Sequence, residues 1–180
     1  IAAGDADACT MTRALICDPE MPNKATAGQL ERVRACIACN QACIGHFHLG
    51  YSISCIQHPE TGRELRFGSI APAAAPRKVL VAGAGPGGMK AAAVAAARGH
   101  EVTLHEASSR VGGQVLLAER IPGRGEFGGA ATNLVKEVEE AGARIVLNSP
   151  VDRALVERER PDVVVLATGG RPRRLPLEVA

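Results

Sequence analysis

Between residues 78 and 106 the chain reads KVLVAGAGPGGMKAAAVAAARGHEVTLHE, and few folds accommodate that order of residues. An apolar run, Lys78–Ala82, has the look of a buried strand. It ends in Gly83-x-Gly85-x-x-Gly88, and an alanine-rich helix closed by Gly99 follows. A second strand, EVTLHE, ends on the acid Glu106. A bare G-x-G-x-x-G means little, but set between a strand and a helix, with an acid at the end of the next strand, it is a dinucleotide fingerprint. Gly83 permits the tight turn, Gly85 lets the backbone approach a pyrophosphate, and Gly88 lets the helix pack on the strand. The helix N-terminus offers free N–H groups and partial positive charge to phosphate. Glu106 can accept hydrogen bonds from ribose hydroxyls, and an acid there disfavours a 2′-phosphate.

The rest of this half continues the alternation. Glu126–Ala141 carries Leu134, Val135 and Val138 at helical spacing and is closed by Gly142. ARIVLN reads as a strand, Asp152–Glu159 as a short helix, and DVVVLATGG as a last strand. Strands alternating with helices predict an α/β domain with a parallel sheet. Gly112 and Gly113, in SSRVGGQV, suggest a close backbone approach to a ligand. Arg110, in the same stretch, reads equally as a phosphate partner or a surface charge. Thr168 and Gly169, in ATGG, lie at the carboxyl edge of the sheet, where such folds bind ligands.

The first half is different. Ala8–Met11 reads as a short buried strand, Ala14–Cys17 as one helical turn, and Leu30–Ala35 as a second helical piece. Residues 36–55, CIACNQACIGHFHLGYSISC, then hold four of the six cysteines in the spacing C-x2-C-x3-C-x11-C. Structural zinc usually takes its thiolates as two separate C-x2-C knuckles. Three close thiols and a distant fourth suit a cube-shaped iron–sulfur cluster better, with ligands Cys36, Cys39, Cys43 and Cys55. Zinc and a disulfide framework are the competing readings. His46 and His48 read as solvated loop residues, and Cys9 and Cys17 as small buried hydrophobes. Residues 57–77 show no period and read as a connecting segment.

Composition narrows the partners. A net charge of +2 points to no nucleic-acid or membrane surface. The longest apolar stretch, Ala91–Ala97, is too short to span a bilayer. No basic segment followed by an apolar one opens the chain, so a cytoplasmic location is expected. The chain starts in mid-pattern without a Met and stops at RLPLEVA, which reads as a piece of something longer.

Taken in order, GDADACTMTRALICDPEMPNKATAG, CIACNQAC…SC and GAGPGGM…HE…GGQ…ATGG resemble the iron–sulfur flavoproteins related to 2,4-dienoyl-CoA reductase and trimethylamine dehydrogenase, the old-yellow-enzyme-like NADH:flavin oxidoreductases. The resemblance covers essentially the whole chain. It implies the end of an FMN-binding (β/α)8 barrel at 1–34, a [4Fe–4S] loop at 35–58, a connection at 59–77, and an incomplete Rossmann-like FAD domain at 78–180. Physics does not separate FAD from NAD at the glycine turn; the resemblance favours FAD, with ADP in some relatives. It implies cofactor contacts from Gly83, Gly85, Gly88, Glu106, Arg110, Gly113, Gln114, Thr168 and Gly169. Thr12 and Arg13 would meet the FMN phosphate, where barrels of this kind often bind phosphate. The catalytic acid would lie upstream, so no catalytic residue is assigned here. NAD(P)H would be the co-substrate and a small molecule the substrate, either an enoyl compound to reduce or an N-methyl amine to oxidise. A homo-oligomer of the full-length protein is possible on the same grounds. The thiol spacing looks more like the dienoyl-CoA reductase branch, although demethylases of the family share C-x-x-C-N-Q-x-C. Two other readings stand beside this one: an electron-transfer module with a structural ADP, and a zinc-binding Rossmann protein.

Overall fold

The computed structural model describes residues 3–170. Four parallel strands form one sheet in the order β3-β2-β1-β4: β1 Lys78–Ala82, β2 Glu101–His105, β3 Arg144–Val146 and β4 Val163–Leu166. The expected α/β alternation is therefore present, with the outer strands shorter than their apolar runs.

Helix α5 (Pro86–Ala97) joins β1 to β2. Its alanines favour helix strongly, and Pro86 sits at the first turn, where its missing N–H costs nothing. Helix α7 (Gly129–Glu140) leads into β3. It begins three residues later than the sequence suggests, because Gly125–Gly128 winds first as a 3₁₀ turn. Helix α8 (Arg153–Glu159) is capped by Asp152, whose carboxylate accepts from the Leu155 N–H at 2.8 Å. Val79, Val81, Val102 and Leu104 point to one sheet face. There they pack with Met89, Ala92 and Ala93 of α5 and with Ala131, Leu134 and Val138 of α7.

The N-terminal part holds only short helices: α1 Arg13–Cys17 and α2 Met21–Thr26. Ala8–Met11 is not a strand: it is irregular and exposed, with no ladder partner among the described residues. A single strand cannot satisfy its own backbone groups, so it does not form alone. Cys9 is exposed, not buried. The helical turn expected at Leu30–Ala35 stops at Arg32, as a 3₁₀ turn. The Arg34 N–H goes instead to the buried Asp18 carboxylate at 2.8 Å, which also accepts from Lys24 Nζ at 2.7 Å. The chain then runs extended toward the cysteines. Gln41–Gly45 winds as a wide π turn continuing into α3 (His46–His48), and α4 (Glu64–Phe67) interrupts the connecting segment. Short α6 (Val115–Ala118) follows the glycine pair at 112–113.

Candidate nucleotide and thiol sites

At the end of β1 the chain turns sharply at Gly83, which has φ +104°, a conformation L side chains rarely adopt. A Cβ on Gly83 would also lie 2.5 Å from the Ala167 carbonyl oxygen of the strand-end loop. Gly88 packs so closely that a Cβ would overlap the Gly83 carbonyl oxygen. Gly85 is different: a Cβ there meets nothing within 4 Å. It faces a cavity of 750 Å³ that is also lined by Gly83, Glu106, Gly113, Gln114, Thr168 and Gly169. Seven of the nine nucleotide-site residues expected from the sequence thus share one cleft at the carboxyl edge of the sheet. Gly88 supports that cleft from behind.

Gly113 comes close to the first turn rather than only to open space: its Cβ would sit 3.1 Å from the Gly85 Cα. The Gly112 N–H donates to the Ala84 carbonyl at 2.8 Å. Gln114 Nε2 donates to the Gly170 carbonyl at 2.9 Å, tying the two rims of the cleft together. Glu106 accepts from the Ala84 N–H at 2.7 Å on one oxygen, and from the Ser108 N–H and hydroxyl, each at 2.9 Å, on the other. Burial favours its neutral form, but these donors outweigh burial and hold the carboxyl below its usual range. The carboxylate is therefore fixed in place and ionised, with lone pairs left for a further donor. Arg110 lies apart from the cleft: its guanidinium faces Glu119 at 3.7 Å and the side chain is largely exposed.

None of the six cysteines forms a disulfide. Ala38 and Asn40, at φ 52° and 55°, bend the backbone between Cys36 and Cys43 into a tight loop. Cys36, Cys39, Cys43 and Cys55 are all half-buried. Burial, and then its neighbours Cys43, Cys55 and Cys36, push the Cys39 thiol up, while the N–H of Gln41 on its sulfur acts against them. Cys55 goes the other way, to about 6: a hydrogen bond with Cys17 and the N–H groups of Gln57 and His58 favour its thiolate over the cost of burial. These N–H donors favour the thiolate forms of Cys39 and Cys55. Arg13 Nη1 donates to Asn40 Oδ1 at 2.8 Å, so Arg13, expected from the resemblance at an FMN phosphate, reaches into the thiol loop, while Thr12 beside it is exposed. His48 is exposed, and His46 Nδ1 lies 3.0 Å from the Ser52 carbonyl.

The sequence reading missed what joins the two sites. Helix α7 carries a second stripe, Asn133, Lys136, Glu137 and Glu140, which lies against the cysteine half. Asn133 Nδ2 donates to the Ala35 carbonyl at 3.0 Å and to Gln57 Oε1 at 2.7 Å. Glu137 pairs with Arg34 and with Lys90 of α5, both at 2.7 Å. Glu140 pairs with Arg32 at 2.8 Å, and Lys136 reaches the Glu31 carbonyl. An asparagine buried among the apolar residues of an amphipathic helix was the available signal, since such a group needs a partner.

The family model for pyridine nucleotide-disulphide oxidoreductases matches residues 77–180, more than half of the chain. The chain belongs to that family. Its relatives are iron–sulfur flavoproteins of the 2,4-dienoyl-CoA reductase and trimethylamine dehydrogenase kind, as the motif order implies. It is 40% identical over 180 residues to a metal reductase of Desulforamulus reducens, covering 98% of this chain and 27% of that one. It is 44% identical to an N,N-dimethylglycine/sarcosine dehydrogenase of Chromohalobacter salexigens, covering 94% of this chain and 25% of that one. Among solved structures it resembles a 2-naphthoyl-CoA reductase in complex with 2-naphthoyl-CoA, with a TM-score of 0.92 and 37% identity, covering 98% of this chain and 27% of that one. The chain thus spans about a quarter of the length of these relatives. Among the described residues no helix is long and apolar enough to cross a membrane.

Proposed function

We propose that this chain is the electron-transfer portion of an NAD(P)H-dependent iron–sulfur flavoprotein oxidoreductase. It holds the adenine dinucleotide of FAD, or ADP, at the glycine cleft and a [4Fe–4S] cluster on Cys36, Cys39, Cys43 and Cys55. One observation carries the reading: α7 packs the nucleotide domain's core on one stripe and grips the cysteine half with the other, so both sites share one mount.

The residues fit these roles. The Gly85 turn and the start of α5 present backbone N–H groups to a pyrophosphate, and Glu106 meets a ribose. The cluster reading is favoured over zinc by spacing. Thiolates on one zinc ion sit about 2.3 Å from it and crowd together. The C-x2-C-x3-C-x11-C order instead sets three thiols close together in sequence and a fourth apart, as the corners of a larger cubane need. When bound, a flavin exchanges a hydride with a nicotinamide and a cluster carries single electrons. Arg13 uses one of its five N–H groups on Asn40 and keeps others for an FMN phosphate at the adjoining barrel end. The relatives' names divide between reductases and amine dehydrogenases, so the substrate is an enoyl-type compound to reduce or an N-methyl amine to oxidise.

Anaerobic purification tests this directly. The protein should be brown, absorb broadly near roughly 400 nm, and contain both iron and sulfide. A flavin spectrum would distinguish FAD from ADP. Stoichiometric zinc without sulfide would overturn the cluster assignment.

A further inference from the structure

Two buried amides, Gln57 and Asn133, close into one network at the base of the thiol loop. Each is only 8% exposed. Ala35 stands one residue before Cys36, and Gln57 two residues after Cys55. The Ala35 carbonyl accepts from Gln57 Nε2 at 3.0 Å, which joins positions 22 apart in the chain. It accepts again from Asn133 Nδ2, also at 3.0 Å. The other Asn133 hydrogen goes to Gln57 Oε1 at 2.7 Å, and the other Gln57 hydrogen to Cys17 Sγ at 3.3 Å. All four amide hydrogens and both lone pairs of the Ala35 carbonyl therefore have partners. A buried polar network that is fully satisfied is rigid and specifies one arrangement.

The network has neighbours along the same row of α7. Ile37 lies between Cys36 and Cys39 and is 3% exposed. It rests against Gly129, where a Cβ would stand 3.4 Å from Ile37 Cγ2. Glu137 holds Arg34 at 2.7 Å. Gly129, Asn133 and Glu137 follow one another at intervals of four, so they share one face of the helix. That face meets the chain on both sides of the first thiol, and through Gln57 it meets the chain just after the last.

We infer that the Asn133–Gln57 pair is a clasp: it fastens the two ends of the thiol loop to each other and to α7, and so sets how firmly the loop holds its cluster. The inference rests on the cluster reading above. A loop whose ends are already joined loses less freedom when its thiols are gathered around a metal group. Both amides are positioning residues, acting on the ligands through the backbone beside Cys36 and Cys55. Removing groups that orient metal ligands commonly weakens a site by about 10–100-fold.

The test uses the full-length protein, purified anaerobically as wild type, Asn133→Ala, Gln57→Leu and Val138→Ala. Iron release to an excess of an iron(II) chelator is followed without oxygen, well below the melting midpoint of each. ADP binding is measured on the same samples. Asn133→Ala and Gln57→Leu should each release iron about tenfold faster or more. Their dissociation constants for ADP should stay within about threefold of wild type, because the cleft keeps its own contacts. Val138→Ala loosens the same helix from the sheet without opening the clasp, and its iron release should stay within about threefold of wild type. A wild-type release rate in either amide variant overturns the inference. So does equal acceleration in Val138→Ala, which would make general instability the cause. If Asn133→Ala does not fold, Gln57→Leu decides alone, since leucine keeps most of the side-chain volume. Absence of sulfide from the wild-type protein would instead overturn the cluster reading itself, and this inference with it.

Discussion

Three glycines of one motif are asked to do different things, and the space around each says which. Gly85 has open space where a Cβ would go, while Gly88 has the Gly83 carbonyl. Gly85→Ala should therefore change stability by less than about 1 kcal/mol, since its backbone suits alanine. It should weaken nucleotide binding about tenfold or more, because the methyl group stands where the pyrophosphate passes. Gly88→Ala should lose about 1–3 kcal/mol by overpacking α5 on β1. Thermal melts with and without added FAD would separate the two; equal melting losses would mean that the turn has no open side. Glu106→Ala should weaken nucleotide binding by about 1.5–3 kcal/mol, the usual worth of hydrogen bonds to a charged group, readable by titration calorimetry. An unchanged dissociation constant would place the ribose elsewhere.

Elements in this chain are held by partners far away in sequence. Asn133→Leu removes both bonds to the cysteine half and leaves Gln57 Oε1 buried without a donor. It should cost about 1–3 kcal/mol, seen as a lower melting midpoint. Asp18 joins α1, α2 and the Val33–Arg34 segment in the same manner. Burial favours its protonated form, but the Lys24 and Arg34 donors hold its carboxyl below the usual range. Its folded pKa is thus depressed, so its stabilisation is full above the unfolded value of about 3.9 and is lost as pH falls through the folded value. Glu106 has the same sign. Melting midpoints taken from pH 6 to pH 2 should fall most steeply below about pH 4, and Asp18→Asn should flatten part of that fall. These ties also explain what could be read in advance. The β1–turn–α5–β2 unit was legible because each signal lies within a few residues of the structure it dictates. Ala8–Met11 misled because strand chemistry without a neighbouring strand specifies nothing. The expected helix through Ala35 failed because Asp18, sixteen positions earlier, takes the Arg34 N–H. The second stripe of α7 was invisible because its partners lie up to 108 positions away.

Across the whole chain, order should grade with these attachments. In native-state hydrogen exchange the slowest amides should be those of β1, β2 and α5, around fully buried Leu80, Val81, Met89 and Leu104. Residues 3–11 should exchange rapidly, and the 33–37 segment, tied to α7, should fall between. Strong protection at Ala8–Met11 would mean that this stretch has a strand partner. The thiol segment meanwhile leaves Phe47, Leu49 and Tyr51 largely exposed, so its own side chains contribute little to the core and its place depends on α7. That dependence restricts how this protein can change length. Insertions between α6 and α7 can be absorbed by the turns there. A single residue inserted midway along α7 would rotate everything beyond it by about 100°. If it fell before Asn133, that side chain would leave Gln57, Glu137 would leave Arg34, and Val138 would leave the sheet, all in one step. Substitution can proceed position by position along this helix, but a change in its length must be corrected on both faces at once.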